Sequence, residues 1–214
     1  MDRLRVGIVI PALNEALTIG GVVKEVSQFG IPIVVDDGST DATAQLALES
    51  GAVIVRHSEN CGYDSALNSG FLKARQLGVM IIITLDADGQ HNPSIIQNFI
   101  ACIELGADVV VGLRDHRQRF SEHLFAWYSA LRFRVRDPLC GFKAYRADVY
   151  SALGFFDSYG SVGTELLFFA VKSGYSIEQI PFIVQKRHGE SKFGKMLSGN
   201  YKIIRAIFLS LLRS

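Results

Sequence analysis

Short, nearly unbroken apolar runs alternate with longer stretches of helical periodicity through the first half of the chain. The runs fall at residues 6–11, 31–35, 52–56, 79–85 and 108–112 and are rich in Val and Ile. Strands without a polar face are those covered on both sides, as in parallel sheets. Between them, residues 16–29, 41–50, 65–77 and 93–105 carry the spacing of helices, and Pro93 suits the first turn of the last one. This alternation predicts an α/β domain with an open, mostly parallel sheet flanked by helices.

Past Gly112 the rhythm changes. A polar stretch at 114–122 leads into an aromatic-rich helical pattern at 123–134, and then into the compact segment Cys140-Gly141-Phe142-Lys143-Ala144-Tyr145. A helix is predicted at 164–173, a strand at 176–185 and a basic loop at 186–195. No internal repeat and no Gly-, Ser- or Pro-rich linker divides the 214 residues, so a single domain over 1–214 is expected.

With 49% hydrophobic and 20% charged residues, the chain falls outside the disordered and low-complexity classes. A net charge of +1 provides no long-range field to draw in nucleic acid, which is not expected as a partner. Cys61, Cys102 and Cys140 are odd in number and form no C-x-x-C pair; this spacing argues against a disulfide framework and against a zinc site, and fits a reducing cytosol. The apolar run before Pro11 is too short for a signal core or a membrane span. The later run at 201–212 carries Lys202 and Arg205 and reads as an amphipathic or packed helix, so no transmembrane segment is predicted.

In open α/β sheets ligands gather beyond the carboxyl ends of the strands. The first run ends in Pro11-Ala12-Leu13-Asn14-Glu15, the second in Asp36-Asp37-Gly38-Ser39-Thr40-Asp41 and the fourth in Asp86-Ala87-Asp88-Gly89-Gln90-His91. Asp86 and Asp88, followed by a glycine turn, offer hard oxygen ligands suited to Mg²⁺ or Mn²⁺, and Gln90 can add a third. The plainer alternative is that Asp86 caps the helix at Pro93 and Asp88 closes an Asx turn. Asp36 and Asp37 suit ribose hydroxyls or base N–H groups, while Ser39 or Asp41 serves as N-cap of the next helix. Pro11, Asn14 and Glu15 would line the same pocket, with capping an equal reading for Asn14. The Gly-rich turn of a dinucleotide site and the Walker loop of an ATPase are both missing. Arg114 closes the fifth run on the same edge. Arg187, Lys192 and Lys195 share a loop with Gly189 and Gly194; that loop is either positive charge able to close over phosphates or a solvated basic loop.

Taken in order, these segments resemble inverting family 2 glycosyltransferases of the GT-A fold, in particular the polyprenol-phosphate (dolichol-phosphate) mannosyl- or glucosyltransferase branch. The resemblance covers nearly the whole chain. Beyond the strand ends it runs through Asn60 with Gly62, Ala66-Leu67-Asn68-Ser69-Gly70, Asp137-Pro138, Cys140-Gly141-Phe142-Lys143, Glu165-Leu166-Leu167 and Arg187-His188-Gly189-Glu190-Ser191-Lys192. It implies a GT-A domain with a nucleotide-sugar and metal half at 1–112 and an acceptor-facing half at 113–214. Mg²⁺ or Mn²⁺ would sit at Asp86, Asp88 and Gln90. Nucleotide contacts are implied at Pro11, Glu15 and Asp37, and their neighbours Leu13, Asn14, Asp36, Asp86 and Ala87 complete the candidate set. Asp88, Arg114, Glu165, Arg187 and Lys192 are the candidate catalytic residues, with Glu165 as general base wherever the acceptor is a hydroxyl.

The donor implied is a UDP- or GDP-sugar. The leading acceptor is polyprenyl phosphate, reached by peripheral contact at the inner face of a membrane. A saccharide acceptor in surface polysaccharide assembly and a non-catalytic sugar-nucleotide-binding homologue are the alternatives. Cys140 and Lys143 depart from the small polar residue and the Arg frequent in the polyprenol branch. The residues identify neither base, sugar nor oligomeric state.

Overall fold

A computed structural model of the chain describes residues 5–90, 92–117, 119–184 and 196–212. In chain order the elements are β1 (Val6–Ala12), α1 (Ile19–Val26), β2 (Ile31–Asp36), α2 (Thr43–Glu49), β3 (Val53–Arg56), α3 (Tyr63–Gln76), β4 (Ile81–Thr84), α4 (Ile96–Glu104), β5 (Val109–Arg114), α5 (Phe120–Phe133), β6 (Lys143–Arg146), α6 (Ala147–Leu153), α7 (Glu165–Lys172), β7 (Ile177–Phe182) and α8 (Met196–Leu212). A single 3₁₀ turn, Pro93–Ile95, precedes α4.

The strands form one seven-stranded sheet in the order β3-β2-β1-β4-β6-β5-β7. All neighbours are parallel except at β6, which runs antiparallel to both β4 and β5. Alternating side chains divide the apolar residues between two faces, as the two-residue period of a strand requires. Ile8, Ile10, Val34, Ile81 and Ile83 pack with Ile19, Val23, Phe99 and Ile103 of α1 and α4. Val9, Ile33, Val35, Ile82 and Val109 pack with Leu67, Phe71, Phe125, Leu166 and Ile203 of α3, α5, α7 and α8. Both faces are therefore covered, which is why the first strands read as continuous apolar runs.

Several boundaries differ from the sequence expectation. The helix predicted at 16–29 starts only at Ile19, because Glu15 carbonyl oxygen accepts from the amides of Thr18 and Ile19 and holds a turn there. The run at 79–85 shrinks to Ile81–Thr84, and β5 continues to Arg114. Helix α5 begins at Phe120, which places Glu122 on its first turn. Strand β6 and helix α6 were not anticipated, since Lys-Ala-Tyr-Arg has no apolar run to announce a strand. Among the described residues no helix is long and apolar enough to cross a membrane. The basic loop at 186–195, with Arg187, Lys192 and Lys195, lies outside the described residues, as does His91.

Gly70 lies in the middle of α3, where Gly costs about 1 kcal/mol relative to Ala. A Cβ there would stand 2.2 Å from Val9 Cγ1 and 3.2 Å from Val35 Cγ2, so α3 rides directly on β1 and β2. Gly70→Ala is expected to destabilise the fold by about 1–3 kcal/mol even though Ala is the better helix former. Gly21→Ala, in α1 with nothing within 4 Å of its added Cβ, is expected to stabilise it by about 0.5–1 kcal/mol. Urea midpoints check the pair; shifts of the same sign would refute the close approach of α3.

Candidate functional site

Strand order reverses between β1 and β4. The chain builds outward through β2 and β3 and then returns to pair β4 on the other side of β1. Loops leaving adjacent strands in opposite directions open a crevice at their carboxyl ends. A cleft of about 680 Å³ lies there, reached by Pro11, Ala12, Leu13 and Glu15 after β1, Asp37 after β2 and Asp86, Ala87, Asp88 and Gln90 after β4.

Asp88 is only 6% exposed, and its Oδ1 accepts from Gln90 N at 3.0 Å across the positive-φ Gly89. It thus forms an Asx turn and faces the cleft at the same time. Asp86 does not cap the following helix; Asn92 does, accepting from Ser94 N at 3.0 Å. The Asp86 carboxylate instead lies against Gly141, where a Cβ would come within 2.4 Å of Oδ2. Tyr63 OH reaches Asp86 Oδ1 at 3.5 Å, and burial, followed by the charge of Asp86, pushes the phenol's pKa well up. Two carboxylates and a carboxamide on one wall fit a hard divalent ion, because all three offer oxygen.

Asp37 is buried, and both of its carboxylate oxygens are hydrogen-bonded. Its Oδ2 accepts from Gly62 N at 2.8 Å, and its Oδ1 accepts from Cys61 N at 2.9 Å and lies 2.7 Å from His57 Nδ1. His57 Nε2 in turn lies 2.9 Å from Ser69 Oγ.

Another part of the lining is basic. Arg114 makes a two-pronged contact with Asp137, both Nε and the second terminal nitrogen at 2.8 Å, and its other terminal nitrogen lies 3.2 Å from Glu122. Burial opposes the charge on this guanidinium, but the bonds and charge of Asp137, with Glu122, outweigh it and raise its pKa above the ordinary value. Arg119 stands 3.5 Å from the other oxygen of Glu122. Lys143 is 3% exposed and donates to Gly163 O at 2.9 Å; burial lowers its pKa to about 8, against the pull of Cys140 and Asp137. Arg114, Arg119, Lys143, Lys202 and Arg205 all line the cleft.

The profile of glycosyl transferase family 2 matches residues 7–160, which spans all three acidic strand ends and most of the basic wall. The chain belongs to this family. This family 2 glycosyltransferase is 27% identical to a polyprenol monophosphomannose synthase of Mycolicibacterium smegmatis, over 91% of the chain and 82% of that protein. It is 28% identical to an undecaprenyl-phosphate mannosyltransferase of Micrococcus luteus, over 92% and 90% of the two chains. The crystal structure of glucosyl-3-phosphoglycerate synthase from Mycobacterium tuberculosis with Mn²⁺, UDP and glucosyl-3-phosphoglycerate superimposes with a TM-score of 0.79, at 23% identity, over 96% of this chain and 79% of that one. The fold is therefore GT-A.

Within this glycosyltransferase the structure gathers most of the sequence candidates and leaves some aside. Pro11, Leu13, Glu15, Asp37, Asp86, Ala87, Asp88, Gln90 and Arg114 line the cleft. Asn14 and Asp36 are not among its lining residues. Asn14 Oδ1 accepts from Thr40 N at 2.9 Å and its own amide donates to Ser39 Oγ at 2.9 Å, so it straps the first two strand-end loops together. Asp36 is fully buried, accepting from Ser39 N at 3.1 Å and paired with Arg56 at 3.2 Å. Glu165 is not itself among the lining residues, but it accepts from the amide and hydroxyl of Ser158, which is. Arg187 and Lys192 are outside the described residues.

Sequence reasoning missed His57, Asp64, Arg119 and Glu122. His57 directly follows β3, so the same strand-end rule would have found it. Cys140 is fully buried, and burial pushes its thiol up to about 12, so it stays a neutral wall rather than a nucleophile.

Asp64 opens α3 at the cleft, with Oδ1 buried and unpartnered. Burial, then the nearby Asp157, raises its pKa from 3.8 to about 6, with amides of Gly163 and Val162 partly offsetting them. The unfolded chain loses this proton near 3.8 and the folded chain only near 6, so stability falls as pH rises through that window. Asp64→Asn is expected to stabilise the fold at pH 8 by on the order of 2 kcal/mol, seen as a higher Tm, and to leave Tm nearly unchanged at pH 4. A difference independent of pH in thermal melts would remove the assignment.

Proposed function

We propose that this glycosyltransferase moves a sugar from a UDP- or GDP-sugar to polyprenyl phosphate, with inversion and with a divalent cation, at a membrane surface. The observation that carries the reading is the joining of an acidic wall and a basic wall in one cleft. Asp86, Asp88 and Gln90 are the residues that would hold Mg²⁺ or Mn²⁺, which would supply positive charge to the departing diphosphate. Pro11, Leu13, Glu15 and Asp37 would hold the nucleoside. The acceptor phosphate, oriented by Arg119, Lys143 and the cleft face of Arg114, would attack the anomeric carbon through one oxygen as the bond to the nucleoside diphosphate breaks. A phosphate monoester is mostly dianionic near neutral pH, its second pKa being about 6, so no base has to remove a proton. Positioning and charge then account for catalysis.

A lipid acceptor also fits the exposed surface beside the cleft. On α5, Phe120, Leu124, Trp127 and Leu131 recur at spacings of four, three and four and are exposed, Trp127 by 67%. On α8, Tyr201, Ile204 and Phe208 make a second exposed stripe. Arg119, Glu122, Lys202 and Arg205 carry the same two helices to the cleft lining. Large apolar patches of this kind mark interaction surfaces, and amphipathic helices of this kind lie in lipid interfaces.

Incubation with labelled UDP- and GDP-sugars, Mn²⁺, and either undecaprenyl phosphate in detergent or oligosaccharides should yield label extractable with the lipid. Asp88→Ala is expected to lower transfer at least 100-fold, and Glu165→Gln less than 5-fold, on the scale of a group that does or does not meet the transition state. Label in oligosaccharide alone, with Glu165→Gln inactive, would overturn the lipid-phosphate reading. For the surface, Trp127→Ser with Leu131→Ser should reduce sedimentation with anionic lipid vesicles severalfold. Unchanged vesicle binding, or a loss of dimer in its place, would assign the stripe to another partner.

A further inference from the structure

One cluster at the cleft wall has a chemistry distinct from the acidic pair. Asp37, His57 and Cys61 come from the end of β2, the residue after β3 and the loop before α3, and their ligand atoms all lie within 4.8 Å of one another. We infer that these three residues form a second cation site, selective for a soft divalent ion of the Zn²⁺ class.

Three features favour it. The donor set is one carboxylate oxygen, one imidazole nitrogen and one thiol sulfur, a combination that suits Zn²⁺ and disfavours Mg²⁺ and Mn²⁺. The outer shell is already built: Ser69 Oγ lies 2.9 Å from His57 Nε2, leaving Nδ1 to face Asp37 and Cys61, and Gly62 N fixes the other Asp37 oxygen at 2.8 Å. Second partners of this kind set the orientation of ligating His and carboxylate groups. Access is graded as well, since Asp37 is buried, the His57 side chain is 14% exposed and Cys61 is exposed in the cleft.

The 2.7 Å between His57 Nδ1 and Asp37 Oδ1 is a hydrogen-bond length. Ligands about 2.0–2.2 Å from one tetrahedral ion stand roughly 3.3–3.5 Å apart. Binding therefore parts this pair by less than 1 Å, on the order of a side-chain adjustment. The ion takes Nδ1 of the neutral ring, whose one N–H proton sits on Nε2 as donor to Ser69 Oγ, and the Cys61 thiol releases its proton to solvent. Three protein ligands leave a fourth position toward the cleft. The wide spacing of the cysteines argued against zinc in the sequence because it cannot show that β2, β3 and α3 meet here.

If Asp37 holds the donor nucleoside, an assignment that rests on the proposed function, then Zn²⁺ and donor exclude each other. Co²⁺ titration of the purified full chain tests the site directly. The expected result is thiolate-to-cobalt charge-transfer absorption that one equivalent of Zn²⁺ abolishes and that millimolar Mg²⁺ does not. Cys61→Ser should lose that absorption and weaken Zn²⁺ binding at least tenfold, with His57→Gln showing the same weakening. Absence of the band in the wild type, or its persistence in Cys61→Ser with Cys102 and Cys140 intact, overturns the proposal. Cys61-dependent Zn²⁺ binding that leaves UDP and GDP affinity unchanged supports the site and instead refutes the role given to Asp37 in holding the donor.

Discussion

The pairing of β1 with β4, Val6 to Val9 against Ile81 to Thr84, is the constraint on which the rest of the molecule depends. Because β4 joins β1 on the side away from β2, the loops leaving β1 and β4 part from each other, and the crevice between them receives every acidic strand end. Fully apolar strand interiors make this pairing possible, since either face can be buried under helices without stranding a polar side chain. Burying carboxylates at the strand ends would be costly in isolation. It is tolerated here because backbone amides and neighbouring donors meet them: Cys61 and Gly62 at Asp37, Gln90 at Asp88 and Tyr63 at Asp86.

On the basic side, Arg114 is held by Asp137 and Glu122 rather than left exposed. A guanidinium fixed on two sides presents its remaining edge in a defined direction, so less side-chain entropy is lost when a ligand arrives. Arg119 and Lys143 add charge at fixed points around it. The two walls thus differ in sign while each is internally compensated, which keeps a site rich in ionised groups compatible with a stable core.

Much of this was legible in the chain. Continuous apolar runs announced the parallel strands, and the residues directly after them supplied Asp37, Asp86, Asp88 and Arg114. What escaped notice depended on contacts between distant segments. Asp36 and Asp37 are adjacent in sequence, yet the alternation of a strand sends them to different partners, Arg56 for one and the Cys61–Gly62 amides for the other. Asn14, readable as a pocket residue or a cap, spends its side chain on Thr40. The four-residue strand that carries Lys143 has no apolar signature, and the raised pKa of Asp64 comes from burial that no local pattern encodes.

Strand β6 ties the two walls together mechanically. It lies between β4 and β5, and Thr84 Oγ1 donates to Gly141 O at 2.6 Å just where the backbone of Gly141 abuts the Asp86 carboxylate. A side chain at position 141 would claim the space that the Asp86 carboxylate fills, so the glycine sets how near the acidic strand end can come to the Cys140–Lys143 segment. Lys143 in turn is anchored to the Gly163 carbonyl, so one short stretch of backbone places groups of both signs around the same crevice.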